Sequence, residues 1–521
     1  MKKPTTSGGD ELLPTGLRRY LYGTAALTGA AIMIVEILGA KMLSPYIGTS
    51  HFVWTAQIAV TLVALASGYY LGGRLVDRSP RLSRLYWCIL AAAAYLVISV
   101  PACPSVAYAT LQFDLAAGSL LASAFLFFVP LCLLAMVGPF VVRVMAQALS
   151  SVGGTMGRLT AVSTLGSVVG TLLIGYALIP LLPNSMTMYL TAALLVVASL
   201  GYFLVWGRGQ RSVTGPIVLG LLVVGPGWLG ARPEPLRSGQ AREIYRANSD
   251  FGLMQVLDLG EGTSRLYLND YLVQNTFDTA TGQSTSLFTY MLHGLAQAYA
   301  SNISEVLCIG LGVGIVPMQF AREGKRVDVI EINPRVAELA ERFFNFEPAL
   351  VHLTIGDGRY YLNRCRKQYD VVVLDAFLGD SSPSHLMTQE TFREIHRLLR
   401  PGGVLVINSF GNFEPGRDFF TASLHKTLRA VFPSVKIHSN RGGNVFFVAS
   451  DRPELAFVRS PLVDHVHPAA KWQVESCYAS IMETHPDHGM VLTDDFNPVE
   501  FHDARNREEI RRNLAFAMRS R

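Results

Sequence analysis

The sequence predicts a multi-span α-helical membrane domain followed by a small β unit and an α/β Rossmann domain. Half of the 521 residues are apolar and only 16% are charged, a composition that is unusually apolar for a soluble protein. Long apolar stretches fill the chain up to residue 231. Beyond residue 247, short apolar stretches alternate with amphipathic ones, as strands alternate with helices in a Rossmann domain. The length alone favours two or more domains.

Charge and cysteine content exclude several classes of protein. The net charge of +5 is modest, and much of the arginine lies beside apolar segments, so we interpret it as a membrane-orientation signal and expect no nucleic-acid partner. The six cysteines are scattered, without a CxxC pair or flanking histidines. This pattern argues against a disulfide framework and against a zinc site, and we expect no metal.

The predicted membrane domain covers residues 18–231, between an N-terminal tail (1–17) and a polar linker (232–247). Most of its apolar stretches reach the ~20 residues that a helix needs to cross the hydrocarbon core. The stretches lie at 20–44, 52–76, 85–106, 115–146, 157–182, 186–206 and 213–230. The first one lacks a short apolar region with a cleavage site, so it is not expected to be a signal peptide.

Arginine and lysine predict the orientation of these stretches. They lie before the first stretch, between the second and the third, and between the sixth and the seventh, whereas the loops near 45–51, 107–114 and 183–185 contain neither residue type. The amino terminus is therefore expected in the cytoplasm. Seven crossings would place the second half outside, but Pro216, Gly225, Pro226 and Gly227 interrupt the seventh stretch. We therefore expect an even number of crossings and a cytoplasmic second half.

Two kinds of residue stand out within the stretches. Glu36 and Lys41 are costly in lipid, and they indicate either a substrate or ion path or a structural ion pair with snorkelling at the helix end. The GxxxG spacings at 68–72 and 166–170 predict close packing between helices.

The second half is expected to contain a small β unit (248–300) and a Rossmann-like catalytic domain (301–521). Strands are predicted at 252–258, 265–274, 305–314 (where the strand runs into a glycine turn), 326–332, 351–358, 369–377 and 403–410, and helices at 315–323, 334–344 and 388–399. Such alternation predicts a parallel sheet that is covered on both faces. Ligands of these sheets bind beyond the carboxyl ends of the strands, at the switch point of strand order.

Polar residues and glycines follow successive strands where a ligand is expected. Gly310, Gly312 and Gly314 form a GxGxG turn that lets a nucleoside approach the backbone, although glycines also terminate buried strands. Glu331 ends the next strand and can accept hydrogen bonds from ribose hydroxyls. Asp357 ends the third strand and can accept one from an adenine amino group. Together they predict a nucleoside site.

The type of nucleoside and the role of two further carboxylates are less directly predicted. The first loop lacks the third glycine of GxGxxG, because Pro317 and Met318 occupy that region, and this favours a sulfonium nucleoside over a nicotinamide dinucleotide. Asp375 ends the fourth strand, and Asp380 comes five residues later. Each is either a catalytic carboxylate or a residue that caps a turn.

These segments together resemble the spermidine synthase family, with its methyltransferase-like fold. The resemblance covers roughly residues 248–450 and depends on VLCIGLGVG (306–314), VIEINP (329–334), LTIGDGRYYL (353–362), YDVVVLDAFLGD (369–380) and HLMTQETFREIHRLLRPGGVL (385–405). With its membrane domain, the chain is similar to polytopic, fused spermidine-synthase-like proteins of bacteria. That similarity implies an integral protein of the bacterial inner membrane, in contact with the lipid bilayer.

The resemblance implies roles for the candidate residues. Glu331 would hold the ribose, Asp357 and Gly358 the adenine side, and Gln274 a part of the donor. Asp375 would lie beside the reacting aminoalkyl chain. Asp380 would take the place of the second aspartate in the family's Asp-x-x-Asp-Pro motif, although within a longer loop. A homodimer is also implied, since spermidine synthases commonly pair.

Several positions depart from the family pattern. Val313 replaces an aspartate that binds the ammonium of decarboxylated S-adenosylmethionine (SAM) and would repel the carboxylate of SAM. Phe288 replaces a tyrosine, and Gly252 aligns with a glutamine. SNRGGN (439–444) replaces a tyrosine-containing acceptor loop. The groups that hold a polyamine are therefore mostly missing, whereas those that hold the nucleoside remain.

The expected chemistry begins from the sulfonium, which makes its neighbouring carbons electrophilic, so that positioning and charge placement suffice for catalysis. With Val313, we expect an enzyme that binds SAM as its substrate and cleaves the Cγ–S bond, releasing methylthioadenosine, as an intramolecular lyase that forms homoserine lactone. One alternative is aminopropyl transfer from decarboxylated SAM to a polyamine, as in spermidine synthases. Methyl transfer and a SAM-sensing transporter without catalysis are further alternatives.

Two carboxy-terminal segments complete the expectations. TDDFNPVE (493–500) contains three carboxylates and is expected to form a loop that closes over the site. The tail NREEIRRNLAFAMRSR (506–521) has the pattern of a basic amphipathic helix, either on the membrane surface or solvated.

Overall fold

A computed structural model describes residues 13–48, 50–146, 149–207, 215–221, 237–238, 241–377, 382–441, 443–461, 463–504 and 506–509. The chain divides into two compact units, Met1–Glu234 and Pro235–Arg521.

The first unit is helical. Among its described residues, six helices are long and apolar enough to cross a membrane. They are α1 (Thr15–Ile47), α2 (His51–Arg78), α3 (Leu82–Thr110), α4 (Leu115–Met145), α5 (Val152–Leu181) and α6 (Asn184–Val205). These helices correspond to six of the seven predicted stretches. Of the seventh, residues 215–221 are helical and the others lie outside the described residues, so the number of crossings stays a prediction.

Glycines bring helices of this unit into backbone contact. A Cβ atom at Gly166 of α5 would lie 2.0 Å from the carbonyl oxygen of Ala26 in α1, and one at Gly170 would lie 2.6 Å from that of Ala30. No side chain larger than hydrogen fits at such distances. The close packing predicted from this GxxxG spacing is therefore confirmed between α1 and α5.

The second GxxxG spacing acts in the same way between α2 and α4. A Cβ atom at Gly68 would lie 2.2 Å from the carbonyl oxygen of Cys132, and one at Gly72 would lie 2.8 Å from the Cα atom of Met136. Glu36 and Lys41, the two ionisable residues noted on α1, are both partly buried.

The second unit opens with a six-stranded antiparallel sheet, in which each strand pairs with the next along the chain. Its strands are β1 (Arg237–Ser238), β2 (Ala241–Ser249), β3 (Gly252–Leu259), β4 (Ser264–Asn269), β5 (Leu272–Asp278) and β6 (Gln283–Ser284). The single strand predicted at 265–274 is wrong, since β4 and β5 form a hairpin there. Asp270 and Tyr271 make its turn with φ values of 47° and 63°, the left-handed geometry of a tight two-residue hairpin.

The larger sheet of this unit has eight strands in the order β14-β12-β13-β11-β10-β7-β8-β9. They are β7 (Glu305–Ile309), β8 (Arg326–Glu331), β9 (His352–Ile355), β10 (Tyr369–Leu374), β11 (Leu399–Phe410), β12 (Ser434–His438), β13 (Asn444–Ser450) and β14 (Ile481–Met482). The parallel sheet predicted from the sequence is confirmed for β7 to β11. It is extended beyond β11 by β13, β12 and β14, of which β13 and β14 run antiparallel to the other strands.

Helices flank this sheet and cover its apolar residues. They are α7 (Leu287–Tyr299), α8 (Ile315–Arg322), α9 (Pro334–Phe343), α10 (Gly358–Arg364), α11 (Gln389–Leu398), α12 (Phe419–Arg429), α13 (Pro468–Ala479) and α14 (Val499–His502). Along β10, Val371 and Val373 belong to one apolar core, whereas Val372 and Leu374 belong to another. Alternate side chains of a strand point to opposite faces, so the sheet is buried on both faces, as predicted.

Candidate active site

A cavity of about 410 Å³ lies at the carboxyl ends of the central strands of the larger sheet. Such a volume is within the range of small-molecule sites. Of the candidate residues, those that line the cavity are Gln274, Gly310, Gly312, Glu331, Asp357, Gly358 and Asp375. Asp380 lies outside the described residues. The cavity therefore brings together seven positions that are spread over about 100 residues of sequence, six of them from the larger sheet and Gln274 from β5 of the smaller one.

The glycines after β7 have three different environments. Gly310 has φ 99°, and a Cβ atom there would lie 2.1 Å from the carbonyl oxygen of Asp375. Gly312 has φ 56° and lines the cavity, with no atom within 4 Å of a Cβ position, so it leaves open space for a ligand. Gly314 has φ 84° and begins α8 against the ring of Phe346. Gly314, expected at the nucleoside, is thus outside the lining, and its backbone conformation and Phe346 account for the glycine.

Glu331 ends β8 and is buried, with 8% of its surface exposed. Its carboxylate accepts hydrogen bonds from the backbone N–H groups of Leu311, at 3.0 Å, and Asn333, at 2.8 Å. Burial raises the pKa of Glu331, and these backbone donors act in the opposite direction. A carboxylate has about four acceptor positions, so positions remain that can bind the hydroxyl groups of a ligand.

Asp357 has a structural contact and a contact within the cavity lining. Its Oδ1 accepts a hydrogen bond from the backbone N–H of Tyr360 at 2.9 Å and so caps the N-terminus of α10. Its Oδ2 lies 3.1 Å from Nε2 of His385, which also lines the cavity. At Gly358, a Cβ atom would lie 2.7 Å from the side chain of Ile309, so the close packing beneath the cavity requires glycine. Sequence reasoning missed His385.

Asp375 follows β10 and exposes part of its side chain to the cavity. Its Oδ1 accepts a hydrogen bond from Nδ2 of Asn408 at 2.9 Å, and Oδ1 of Asn408 accepts one from Nδ2 of Asn444 at 3.0 Å. Burial raises the pKa of Asp375 to about 6. The negative charge of Glu331 also raises this pKa, whereas the hydrogen bond from Asn408 lowers it. A carboxyl group with this pKa can exchange a proton near neutral pH.

The charge of the lining has one sign. Its carboxylates are Glu331, Asp357 and Asp375, and the described lining contains neither lysine nor arginine. Val313 also lines the cavity and is almost fully buried, at 1% exposure. The cavity can therefore bind a cation, whereas an anionic group would find neither lysine nor arginine among the described lining residues.

The TDDFNPVE segment supports the lining from outside. Asp494 accepts hydrogen bonds from Nη2 of Arg359 at 2.8 Å and from the hydroxyl of Thr388 at 2.6 Å, and Asn497 donates to the carbonyl oxygen of Ser384 at 3.0 Å. None of residues 493–500 belongs to the lining. Instead of closing over the cavity, the segment holds the start of α10 and the chain around His385.

Comparison with other proteins gives partial matches to this chain. The chain is 33% identical over 150 residues to the N-terminal histidine N-methyltransferase of Emericella nidulans, covering 28% of this chain and 26% of that protein. The crystal structure of a probable spermidine synthase from Corynebacterium glutamicum is 19% identical. That match covers 42% of this chain and 81% of the other, with a TM-score of 0.35. The chain thus spans about a quarter of the length of the methyltransferase.

Two further matches concern one family. The model of the spermine/spermidine synthase domain matches residues 286–499. The polyamine aminopropyltransferase of Vibrio vulnificus is 33% identical over 207 residues, which are 37% of this chain and 68% of that protein. The resemblance predicted from the sequence motifs is confirmed, and the chain belongs to the spermine/spermidine synthase family.

Proposed function

We propose that the second unit transfers an aminopropyl group from decarboxylated SAM to an amine and releases methylthioadenosine. The observation that carries this proposal is the charge of the cavity, which three carboxylates line without a lysine or arginine among the described residues. Decarboxylated SAM has a sulfonium and an ammonium group, whereas SAM adds a carboxylate that this lining would repel. The sequence favoured a SAM lyase over aminopropyl transfer. Cavity charge and the aminopropyltransferase relative support the second reaction better.

In this proposal the donor lies along the ends of β7, β8 and β9. Acceptor positions of Glu331 bind the ribose hydroxyls, and Asp357 lies at the adenine side. Gly310 and Gly312 let the donor approach the backbone, and Gln274 contacts it from the small β unit. This placement brings the aminopropyl chain to Asp375, at the end of the neighbouring strand β10.

Asp375 acts as the base for the acceptor. The ammonium of the acceptor gives a proton to the ionised carboxylate. The free amine then attacks the aminopropyl carbon that is bonded to the sulfonium sulfur. The C–N bond forms as the C–S bond breaks, and the bonding electron pair stays on sulfur, which becomes the neutral thioether of methylthioadenosine. Asn408 holds the carboxylate in place through the 2.9 Å hydrogen bond. A base that has a pKa of about 6 is largely ionised at neutral pH and still accepts a proton.

The experiment is a product assay with the full-length protein in detergent. Methylthioadenosine is expected with decarboxylated SAM and an amine. An Asp375→Asn variant should lose about 100-fold or more in rate, the usual contribution of a general base. Asp464→Asn is the control, since that carboxylate is exposed and outside the lining. If decarboxylated SAM gives no methylthioadenosine with any amine, the proposal is wrong.

An intramolecular SAM lyase is the second candidate, and Val313 favours it. This apolar residue lines the cavity where the family resemblance implies an aspartate that excludes SAM. In the same assay, SAM alone would then yield methylthioadenosine and homoserine lactone. S-adenosylhomocysteine would instead identify a methyltransferase, and tight binding without product would identify a sensor.

We also infer that the first unit anchors this enzyme in a bacterial inner membrane, with the second unit in the cytoplasm. The six long apolar helices support the anchoring. The distribution of arginine and lysine around the predicted stretches supports the cytoplasmic side.

A further inference from the structure

Two buried polar side chains of the first unit have no hydrogen-bond partner among the described residues. Gln57 of α2 is fully buried, and neither its Oε1 nor its Nε2 is paired. Ser123 of α4 is fully buried as well, and its hydroxyl is unpaired. Burial of an amide or a hydroxyl without a hydrogen bond is unfavourable. Each of these side chains therefore requires a physical reason.

Buried hydroxyl groups one turn away on the same two helices are paired. Ser119 precedes Ser123 by four residues in α4 and donates to the carbonyl oxygen of Leu115 at 2.6 Å. Thr61 of α2 donates to the carbonyl oxygen of Gln57 at 2.9 Å. The preceding turn of a helix can thus supply an acceptor for a buried hydroxyl. Ser123 has no such bond, so its hydroxyl remains available to a ligand.

The amide of Gln57 lies where α1, α2 and α4 meet. A Cβ atom at Gly39 of α1 would lie 2.7 Å from Nε2 of Gln57 and 3.0 Å from the ring of Phe127 in α4. Glycine at residue 39 therefore leaves room for the amide against the backbone of α1. Ser123 precedes Phe127 by four residues, a spacing that places both on the same side of α4. The two unpaired side chains thus belong to one helix junction.

Glu36 adds a carboxylate to this junction. It precedes Gly39 by three residues, a spacing that places both on the same side of α1. Its side chain is partly buried. Carboxylates within apolar helices face the interior of a bundle or a cavity far more often than lipid. A carboxylate, an amide and a hydroxyl from three helices therefore lie within about one turn of the contact between Gly39 and Gln57.

The winding of α4 changes next to Ser123. Residues Ala124–Phe128, which follow it directly, form a π-helical turn. Turns of this kind occur mostly as single interruptions of an α-helix, frequently at functional sites. The Gln57 amide is enclosed, so a ligand can enter only when this side chain turns or the helices move slightly apart. The irregular turn in α4 is a place where such a movement breaks little regular structure.

We propose that this helix junction is a binding site for a primary alkylammonium ion. Such an ion has three N–H donors, and the acceptors are the Glu36 carboxylate, Oε1 of Gln57 and the hydroxyl of Ser123. The carboxylate balances the charge, and the alkyl chain packs against the ring of Phe127. A divalent metal ion takes about six or more oxygen ligands, and these three side chains supply fewer. The first unit then binds a cation besides anchoring the chain, whether or not the second unit transfers aminopropyl groups.

Calorimetric titration of the full-length protein in detergent with propylammonium tests the site. The cavity of the second unit can bind the same ion, so variants of the first unit, which share an identical second unit, are compared with the wild type. Gln57→Met and Glu36→Gln should each weaken one binding component by about tenfold or more. Thr61→Val, which keeps the shape of a buried residue on the same helix, should leave it unchanged. Identical titrations of the wild type and Gln57→Met would overturn the proposal.

Two other cations test the class of ligand. Tetramethylammonium has the charge but no N–H donor, and sodium is a metal ion. Each should bind to the component that Gln57→Met removes at least about tenfold more weakly than propylammonium. Equal or tighter binding of either ion there would assign the site to another ligand and overturn the proposal.

Thermal unfolding tests whether the Gln57 amide instead has a structural role. Methionine is similar to glutamine in size and has no amide, so Gln57→Met removes the unpaired group without leaving a large gap. The variant should therefore unfold at the same temperature as the wild type or at a higher one. A lower midpoint would show that the amide stabilises the bundle through hydrogen bonds of its own, and would contradict its assignment to a ligand.

Discussion

At the scale of single residues, Asp375 is a carboxylate on which burial and a fixed hydrogen-bond donor act in opposite directions. It lies at the end of a strand buried on both faces, and burial raises its pKa to about 6. Asn408 donates a hydrogen bond to it and is itself held by Asn444. Fixed donors of this kind reduce the reorganisation that a charged group needs during reaction. The residue is therefore suited to accept a proton.

This environment predicts the pH dependence of the rate. Only the ionised form of Asp375 accepts a proton, so kcat should rise with pH below about 6 and level off above it. Asp375→Asn removes the titrating group, and its residual rate should show no inflection there. The measurement is kcat at saturating donor and amine, from about two pH units below neutrality to about one above. If the inflection persists in Asp375→Asn, it belongs to another titrating group and not to Asp375.

Val313 predicts a change in donor preference. Val313→Asp would place a carboxylate in the lining that attracts the ammonium of decarboxylated SAM and repels the carboxylate of SAM. The ratio of the two dissociation constants should shift by about tenfold or more toward decarboxylated SAM. Val313→Asn is the control, since it buries a polar group of the same shape without charge. Calorimetry that gave the same ratio for both variants would exclude a role for charge at this position.

At the scale of elements, the carboxy-terminal segment stabilises the part of the site that follows β10. Asp494 contacts Arg359 near the start of α10 and Thr388 before α11. Asp357 caps the N-terminus of α10, and His385 lies between these contacts along the chain. Contacts from a distant segment thus fix two residues of the lining.

Loss of this contact should weaken donor binding more than catalysis. Asp494→Asn removes the charge that pairs with Arg359, so KM for the donor should rise by about threefold to tenfold while kcat changes less. Asp495→Asn is a matched control, because this neighbouring carboxylate is exposed and outside the lining. Equal effects of the two variants, or a loss confined to kcat, would contradict a positioning role.

At the scale of the whole molecule, the membrane topology is open to direct measurement. With an amino terminus inside and an even number of crossings, the part of the predicted linker that precedes β2, residues 232–240, faces the cytoplasm. Protease added to inverted inner-membrane vesicles should then cut at the linker and release the second unit. In right-side-out vesicles the same protease should leave the chain intact. The opposite result would place the second unit outside and leave it without cytosolic substrates.

The sequence allowed much of this architecture to be predicted, for identifiable reasons. Runs such as VVVL in β10 are apolar on both faces, so the strand was predicted to within a few residues. The β4–β5 hairpin was missed because Asp270 and Tyr271 make its turn without glycine or proline. Beyond residue 410, β12 and β14 are short and of mixed polarity, and the prediction extended neither to them nor to the apolar strand β13.

In the candidate site, too, the sequence predicted only residues that a local pattern marks. Glu331, Asp357 and Asp375 were predicted because each follows a recognisable strand. The Asp375–Asn408–Asn444 chain was not predicted, because it joins side chains on neighbouring strands whose pairing is set by the sheet order. Arg359 and Asp494 are 135 residues apart, and no local pattern relates them.

The contact between Gly310 and Asp375 couples the two halves of the proposed reaction. The backbone of the glycine turn touches the carbonyl oxygen of Asp375, and the Asp375 N–H donates to the carbonyl oxygen of Ile309 at 2.9 Å. A methyl group at residue 310 would displace the donor loop and the reacting carboxylate in a single movement. In a random-mutagenesis screen that measures donor affinity and turnover separately, every substitution found at residue 310 should therefore lower both.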